Sequence, residues 1–261
     1  MSSHKSDGAT RALWGVMLIS AIIIITALIF LSSRPTATGE LGCLNGKPNG
    51  RIAILIDKSD PFTQAQQEEL ENYFEQITAE LNENYLVSIF LLNEPEAMNK
   101  KPTFAHCVPK IDGNPLIAAP ARIKAKFQSD FGKRFSEILH GSIEPGASDK
   151  SPILEMIKRI SRSYYFKEEV GEIRKLYIVS DLMQNVEDYS FFKHNMDFEE
   201  FKKSGYGKKI LDDSDLNGAI VAIKIVPQKN ASYERTQQLK KFWIDYMIHQ
   251  GVIEFKPDLL P

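Results

Sequence analysis

RIAILIDKSDPFT, residues 51–63, decides the fold. Ile52 to Ile56 is an unbroken apolar, mostly β-branched run, too short for a core helix and lacking the polar alternation of a half-exposed strand. Such a run is expected of a strand buried on both faces of a parallel sheet. It empties into Asp57-Lys58-Ser59-Asp60 and turns sharply at Pro61. Thr63 with Gln66 then makes a capping-box pattern, and Leu70, Tyr73, Phe74, Ile77 and Leu81 recur at helical spacing, so a helix is predicted to about Leu81.

The pattern repeats toward the C terminus. Strands are expected at Leu86–Leu92, Leu176–Val179, Ala219–Val226 and Val252–Phe255, with a short edge strand at Thr103–Cys107 in a proline-punctuated stretch. Helices are expected around Arg122–Leu139, from Ser151-Pro152 onward, and over Ser232–His249. Residues 184–218 hold Tyr189, Phe191, Phe192, Phe198, Phe201 and Tyr206 but no long strand, which suits an irregular or short-helical insertion with most of its aromatics in the core. The alternating order gives an α/β fold: a doubly wound, mostly parallel sheet with helices on both faces.

On the N-terminal side the run 12–31, ALWGVMLISAIIIITALIFL, carries no charge. As a helix it would cross a hydrocarbon core of about 30 Å. A transmembrane helix at 12–32 is therefore expected, and a cleaved signal peptide would have a shorter apolar stretch and a better cleavage site. Residues 1–11 become a cytoplasmic stub, 33–50 a Gly/Pro/Ser/Thr-rich linker, 51–256 the extracytoplasmic domain and 257–261 a tail. Both cysteines, Cys43 and Cys107, follow the apolar run. Outside the cytoplasm they are expected to pair, closing a loop of roughly 64 residues; two free thiols are the alternative.

A net charge of -2 and a charged content of 25% give no basic surface for a phosphate backbone, so no nucleic-acid partner is expected. Arg122, Lys124, Lys126, Lys133 and Arg134 interleave with Ile123, Phe127, Asp130 and Phe131, as on a solvated helix face. There is no glycine-rich phosphate loop, no HExxH and no Gly-x-Ser-x-Gly elbow.

In a doubly wound sheet, ligands sit outside the carboxyl ends of the strands near the switch point. The first strand ends in Asp57, Ser59 and Asp60, a later one in Ser180-Asp181, and Ser151 opens a helix between them. Here the sequence resembles a von Willebrand factor A domain, in which an Asp-x-Ser-x-Ser loop, a second-loop hydroxyl and a later Asp hold Mg²⁺. The resemblance implies a metal set of Asp57, Ser59, Ser151 and Asp181, with Asp60 as an additional oxygen, for Mg²⁺ or Mn²⁺. Pro61 stands where the family has its second serine, and Leu182 where it usually has glycine. The motifs IDKSDPFT, SPILEMI, YIVSDLMQN and FWIDYMIHQG are also similar to single-span bacterial membrane proteins with a degenerate A-type domain. The function expected is a membrane-anchored, extracytoplasmic protein-binding module, with or without metal. The alternatives are a metal-dependent phosphohydrolase, although Ser59 replaces the second carboxylate such an enzyme needs, and a structural subunit of an envelope complex.

Overall fold

The structure, a computed structural model, describes residues 6–32, 37–59, 61–92, 101–110, 125, 127–144, 148, 150–167, 172–228 and 232–260. The chain divides into two compact units, one ending at Ala37 and the other beginning at Thr38. The first contains a single helix, α1 (Ser6–Ser32). Its two hydroxyls between Trp14 and Ile29 turn back on the helix: Ser20 donates to the Met17 carbonyl, and Thr26 to those of Ile22 and Ile23. Among the described residues no helix is long and apolar enough to cross a membrane, so the span expected over 12–32 is not found there.

The second unit is built on a six-stranded sheet. In chain order its strands are β1 (Gly50–Asp57), β2 (Tyr85–Leu92), β3 (Phe104–Cys107), β4 (Ile173–Ser180), β5 (Ile220–Ile225) and β6 (Glu254–Leu259). They lie side by side as β3-β2-β1-β4-β5-β6, with only β3 antiparallel. The doubly wound, mostly parallel sheet expected from the sequence is thus the observed one. Because side chains alternate along a strand, Ile52, Ile54 and Ile56 enter one core and Ala53 and Leu55 the other. That double burial is why β1 reads as continuously apolar.

The first core packs under α2 (Gln64–Ala79) and α3 (Lys133–Ser142), the second under α4 (Ile153–Arg162), α5 (Phe198–Lys203), α6 (Gly205–Leu211) and α7 (Tyr233–His249). The capping box starts α2 as expected: Gln66 N donates to Thr63 Oγ1, and Thr63 N to Gln66 Oε1. A π-helical turn at Gln128–Gly132 leads into α3, while most of the helix expected from Arg122 lies outside the described residues. Pro152 is the N-cap of α4, one place before its expected position. The insertion folds as the short helices α5 and α6, and Phe191, Phe198 and Phe201 close on Phe242 of α7. The last strand is displaced from its expected 252–255: it begins at Glu254, and residues 257–259, read as tail, complete the sheet edge. Pro257 is tolerated because one side of an edge strand needs no N–H donors.

Cys43 and Cys107 form a disulfide. It holds residues 41–49 along the sheet's far edge, where Cys107 N donates to the Leu41 carbonyl. Asn84 completes the attachment, accepting from Leu44 N and donating to the Lys47 carbonyl and Asn49 Oδ1. Gly42 has φ 66°, and any side chain there would run into the His106 ring.

Candidate functional site

The strand order reverses between β1 and β4, and the C-terminal ends of these two strands form the crevice where such sheets bind ligands. Leu55 and Ile178 are register partners facing the α4 side. Two residues further on, alternation puts Asp57 and Ser180 on that same side. Ser180 Oγ donates to Asp57 Oδ2 at 3.0 Å. Ser151, at the mouth of α4, donates to the same oxygen at 2.7 Å, and Ser59 N donates to Oδ1 at 3.0 Å. Asp57, Ser151 and Ser180 are all buried, while Ser59 is half-buried.

The loops that carry these groups hold one another. Ser151 and Asn185 exchange both backbone hydrogen bonds, joining the start of α4 to the segment after β4. Gln184 accepts from Leu154 N and donates to Glu155 and Tyr206, whose hydroxyl also donates to Glu155. Leu182, fully buried, has φ 62°. The left-handed region costs a leucine about 1–2 kcal/mol. The conformation is enforced from both sides: Leu182 N donates to Ser180 Oγ, and its carbonyl accepts from Trp243 Nε1. Leu182 thus holds a backbone shape that glycine adopts more readily.

Burial drives the Asp57 carboxyl upward, and the hydrogen bonds from Ser151, Ser59 and Ser180 oppose that rise without cancelling it. Among the described residues this carboxylate has hydrogen-bond donors and no cation. Lys58, next in sequence, instead donates to the Gly141 carbonyl. Hydrogen bonds to a charged group contribute about 1.5–3 kcal/mol each, which is why a lone buried carboxylate can be held here.

Of the residues expected at the site, Asp57, Ser59 and Ser151 come together and Asp181 does not join them. Its Oδ1 accepts from Met183 N and its Oδ2 from Gln228 Nε2. The cause is alternation: the residue after Ser180 belongs to the opposite side. Asp60 lies outside the described residues. Ser180 is the member that sequence reasoning passed over, and its equal parity with Leu176 and Ile178 was the available signal.

The donors are hard oxygens, the correct kind for Mg²⁺ or Mn²⁺. Among the described residues the cluster has one carboxylate, the Asp181 oxygens accept from Met183 N and Gln228 Nε2, and there is no group of three or more His, Cys, Asp or Glu side chains that could hold an ion. Among the described residues the donors to Asp57 are Ser59, Ser151 and Ser180, and none of them is an imidazole.

No protein-family model matches the chain, and no curated protein matches it. Among solved structures, an aerotolerance-related membrane protein from Bacteroides fragilis NCTC 9343, in a form with multiple mutations to serines, aligns at 12% identity. The alignment covers 80% of this chain and 92% of that one with a TM-score of 0.36, a likeness too slight to bear on function.

Proposed function

We propose that this chain is a protein-binding module of von Willebrand factor A-like design, tethered to a membrane through residues 12–32 and held outside the cytoplasm, whose Asp57 loop receives a protein partner without a metal. The observation that carries this reading is the Asp57–Ser151–Ser180 cluster at the switch point. There a buried, strained and mutually hydrogen-bonded base presents the Lys58-Ser59 turn at the surface. Strain held at a loop base is a mark of function, because packing must be spent to maintain it.

The tether draws support from α1. Trp14, Ile19, Ile23 and Leu28 are exposed, and the hydroxyls among the described side chains are satisfied within the helix, so that stretch offers no polar group to water. The charge-free run 12–31 continues past the described side chains at both ends. The disulfide supports an oxidising compartment. Among the described residues the cluster holds a single carboxylate, which disfavours a phosphohydrolase, since general acid and nucleophile would need separate groups.

A photo-crosslinker encoded at position 59, compared with one at exposed Glu68 on α2, tests this in native membranes. One discrete adduct from position 59, absent from 68 and lost in Asp57→Asn protein that still melts cooperatively, is expected. Equal labelling from both positions removes the binding face, as would turnover of a phosphoester that Asp57→Asn abolishes. A role as a structural subunit of an envelope complex would instead give adducts from the 184–218 insertion.

A further inference from the structure

Past the C-terminal ends of β4 and β5, α7 starts at a Ser232 N-cap, and its first turn carries Arg235. Arg235 borders, with Asp181 and Gln228, a shallow cleft of about 20 Å³, room for little more than one water. Its guanidinium lies over the ring of Phe192, 5.7 Å from the centroid, and Nη2 donates to the Phe191 carbonyl at 3.2 Å. Phe192 is 54% exposed and Arg235 is half-buried. An arginine stacked on an exposed aromatic ring is a combination enriched at the energetic centres of protein interfaces.

Arg235 has no carboxylate partner among the described residues, although ion pairs engage Arg51, Lys158, Arg162 and Lys224 elsewhere in the same unit. Asp181, its neighbour at the cleft, gives its oxygens to Met183 N and Gln228. Glu234 is adjacent in the helix, where consecutive positions do not share a face. The stack on Phe192 and the bond to Phe191 hold the guanidinium in one orientation, so little freedom remains to be lost when a planar acceptor meets its remaining N–H groups.

We infer that Arg235 and Phe192 form a carboxylate clamp through which the module recognises an acidic peptide segment of its partner, a Glu or Asp flanked by apolar side chains. This rests on the binding-module reading and names the partner's chemistry. The carboxylate takes the guanidinium fork, and the flanking apolar groups cover Phe192.

The probe is the peptide Gly-Leu-Glu-Glu-Phe-Gly against its Gln-for-Glu counterpart, titrated into the full chain in phosphatidylcholine nanodiscs with ¹⁵N-labelled arginine. The Arg235 Nε–H signal, assigned by its disappearance in Arg235→Lys, should shift saturably with the acidic peptide. That peptide should bind about tenfold more tightly than the neutral one, as expected for charge-assisted hydrogen bonds. Arg235→Gln should equalise the two peptides, Phe192→Ala should weaken both several-fold, and added salt should erode the preference. Thermal melts of each variant exclude misfolding as the cause. No binding of the acidic peptide at millimolar concentration, equal binding of both peptides to the unaltered chain, or a preference that survives Arg235→Gln overturns the clamp. None of these substitutions touches Asp57 or Ser59, so crosslinking from position 59 succeeds or fails independently of the peptide result.

Discussion

Replacing both Cys43 and Cys107 with alanine removes a covalent closure between positions separated by 64 residues. In the chain-entropy description a loop of that length restricts the unfolded ensemble by about 4 kcal/mol at 25 °C. For a folded unit of this size each kcal/mol moves the melting temperature by about 2–4 °C, so a fall of roughly 10 °C is expected. The hydrogen bonds of Asn84 to residues 44–49 are untouched by the substitution, so residues 41–43 should loosen first. The assay is a thermal melt of the full chain in detergent, for the oxidised protein, the protein under dithiothreitol and the double variant. It is paired with urea titrations, in which the variant should show a steeper slope because its unfolded chain exposes more surface. If the melting temperature drops with no change in slope, the disulfide acts through native packing and the entropic account fails. A drop under about 3 °C would show that it contributes little at all.

Two further outcomes concern the site. Ser180→Ala removes a donor from the buried Asp57 carboxylate and should cost about 1–3 kcal/mol in urea titrations at neutral pH, and an unchanged midpoint would mean that Ser151 and Ser59 suffice. For pH the sign follows from burial, which lifts the folded-state carboxyl above its ordinary 3.8. The folded protein then binds this proton more tightly than the unfolded chain, so the stability linked to Asp57 is complete below about pH 3.8 and is lost as pH climbs through the raised folded value. The stability of the unaltered chain minus that of Asp57→Asn should therefore fall steadily from pH 4 upward, and a flat difference would sink the assignment.

The sheet was legible because each of its signals is local. An apolar β-branched run closed by Asp57, a capping box at Thr63 and a helical stripe from Leu70 to Ile77 need no knowledge of the remaining chain. The disulfide was legible by count, with two cysteines and both on one side of the apolar run. The site was legible in part. Asp57, Ser59 and Ser151 could be placed by their position at strand and helix ends, but the choice between Ser180 and Asp181 depends on which face of β4 each occupies. A family pattern favours the carboxylate there, whereas side-chain parity favours the hydroxyl, and parity prevailed. The displaced last strand has a similar cause. Val252 and Ile253 look more like strand than Lys256-Pro257-Asp258, yet pairing with β5 sets the register: Ala222 meets Lys256 and Ile223 meets Pro257. The Arg235–Phe192 contact joins residues more than forty positions apart and left no sequence trace.

Both outer strands of the sheet are closed to further pairing, each by a different device. Along β3 the outward N–H of Cys107 is already given to Leu41, in a segment fastened by the disulfide. Along β6, Pro257 has no N–H to offer, and Lys256 and Asp258 place charge on either side of it. Exposed strand edges are where soluble sheets polymerise into continuous ribbons. Closed edges would keep neighbouring copies from fusing their sheets when the protein is concentrated. Reduction would open the β3 edge alone, so ribbon formation under reducing conditions would proceed by that edge pairing with its own kind and would stop at two.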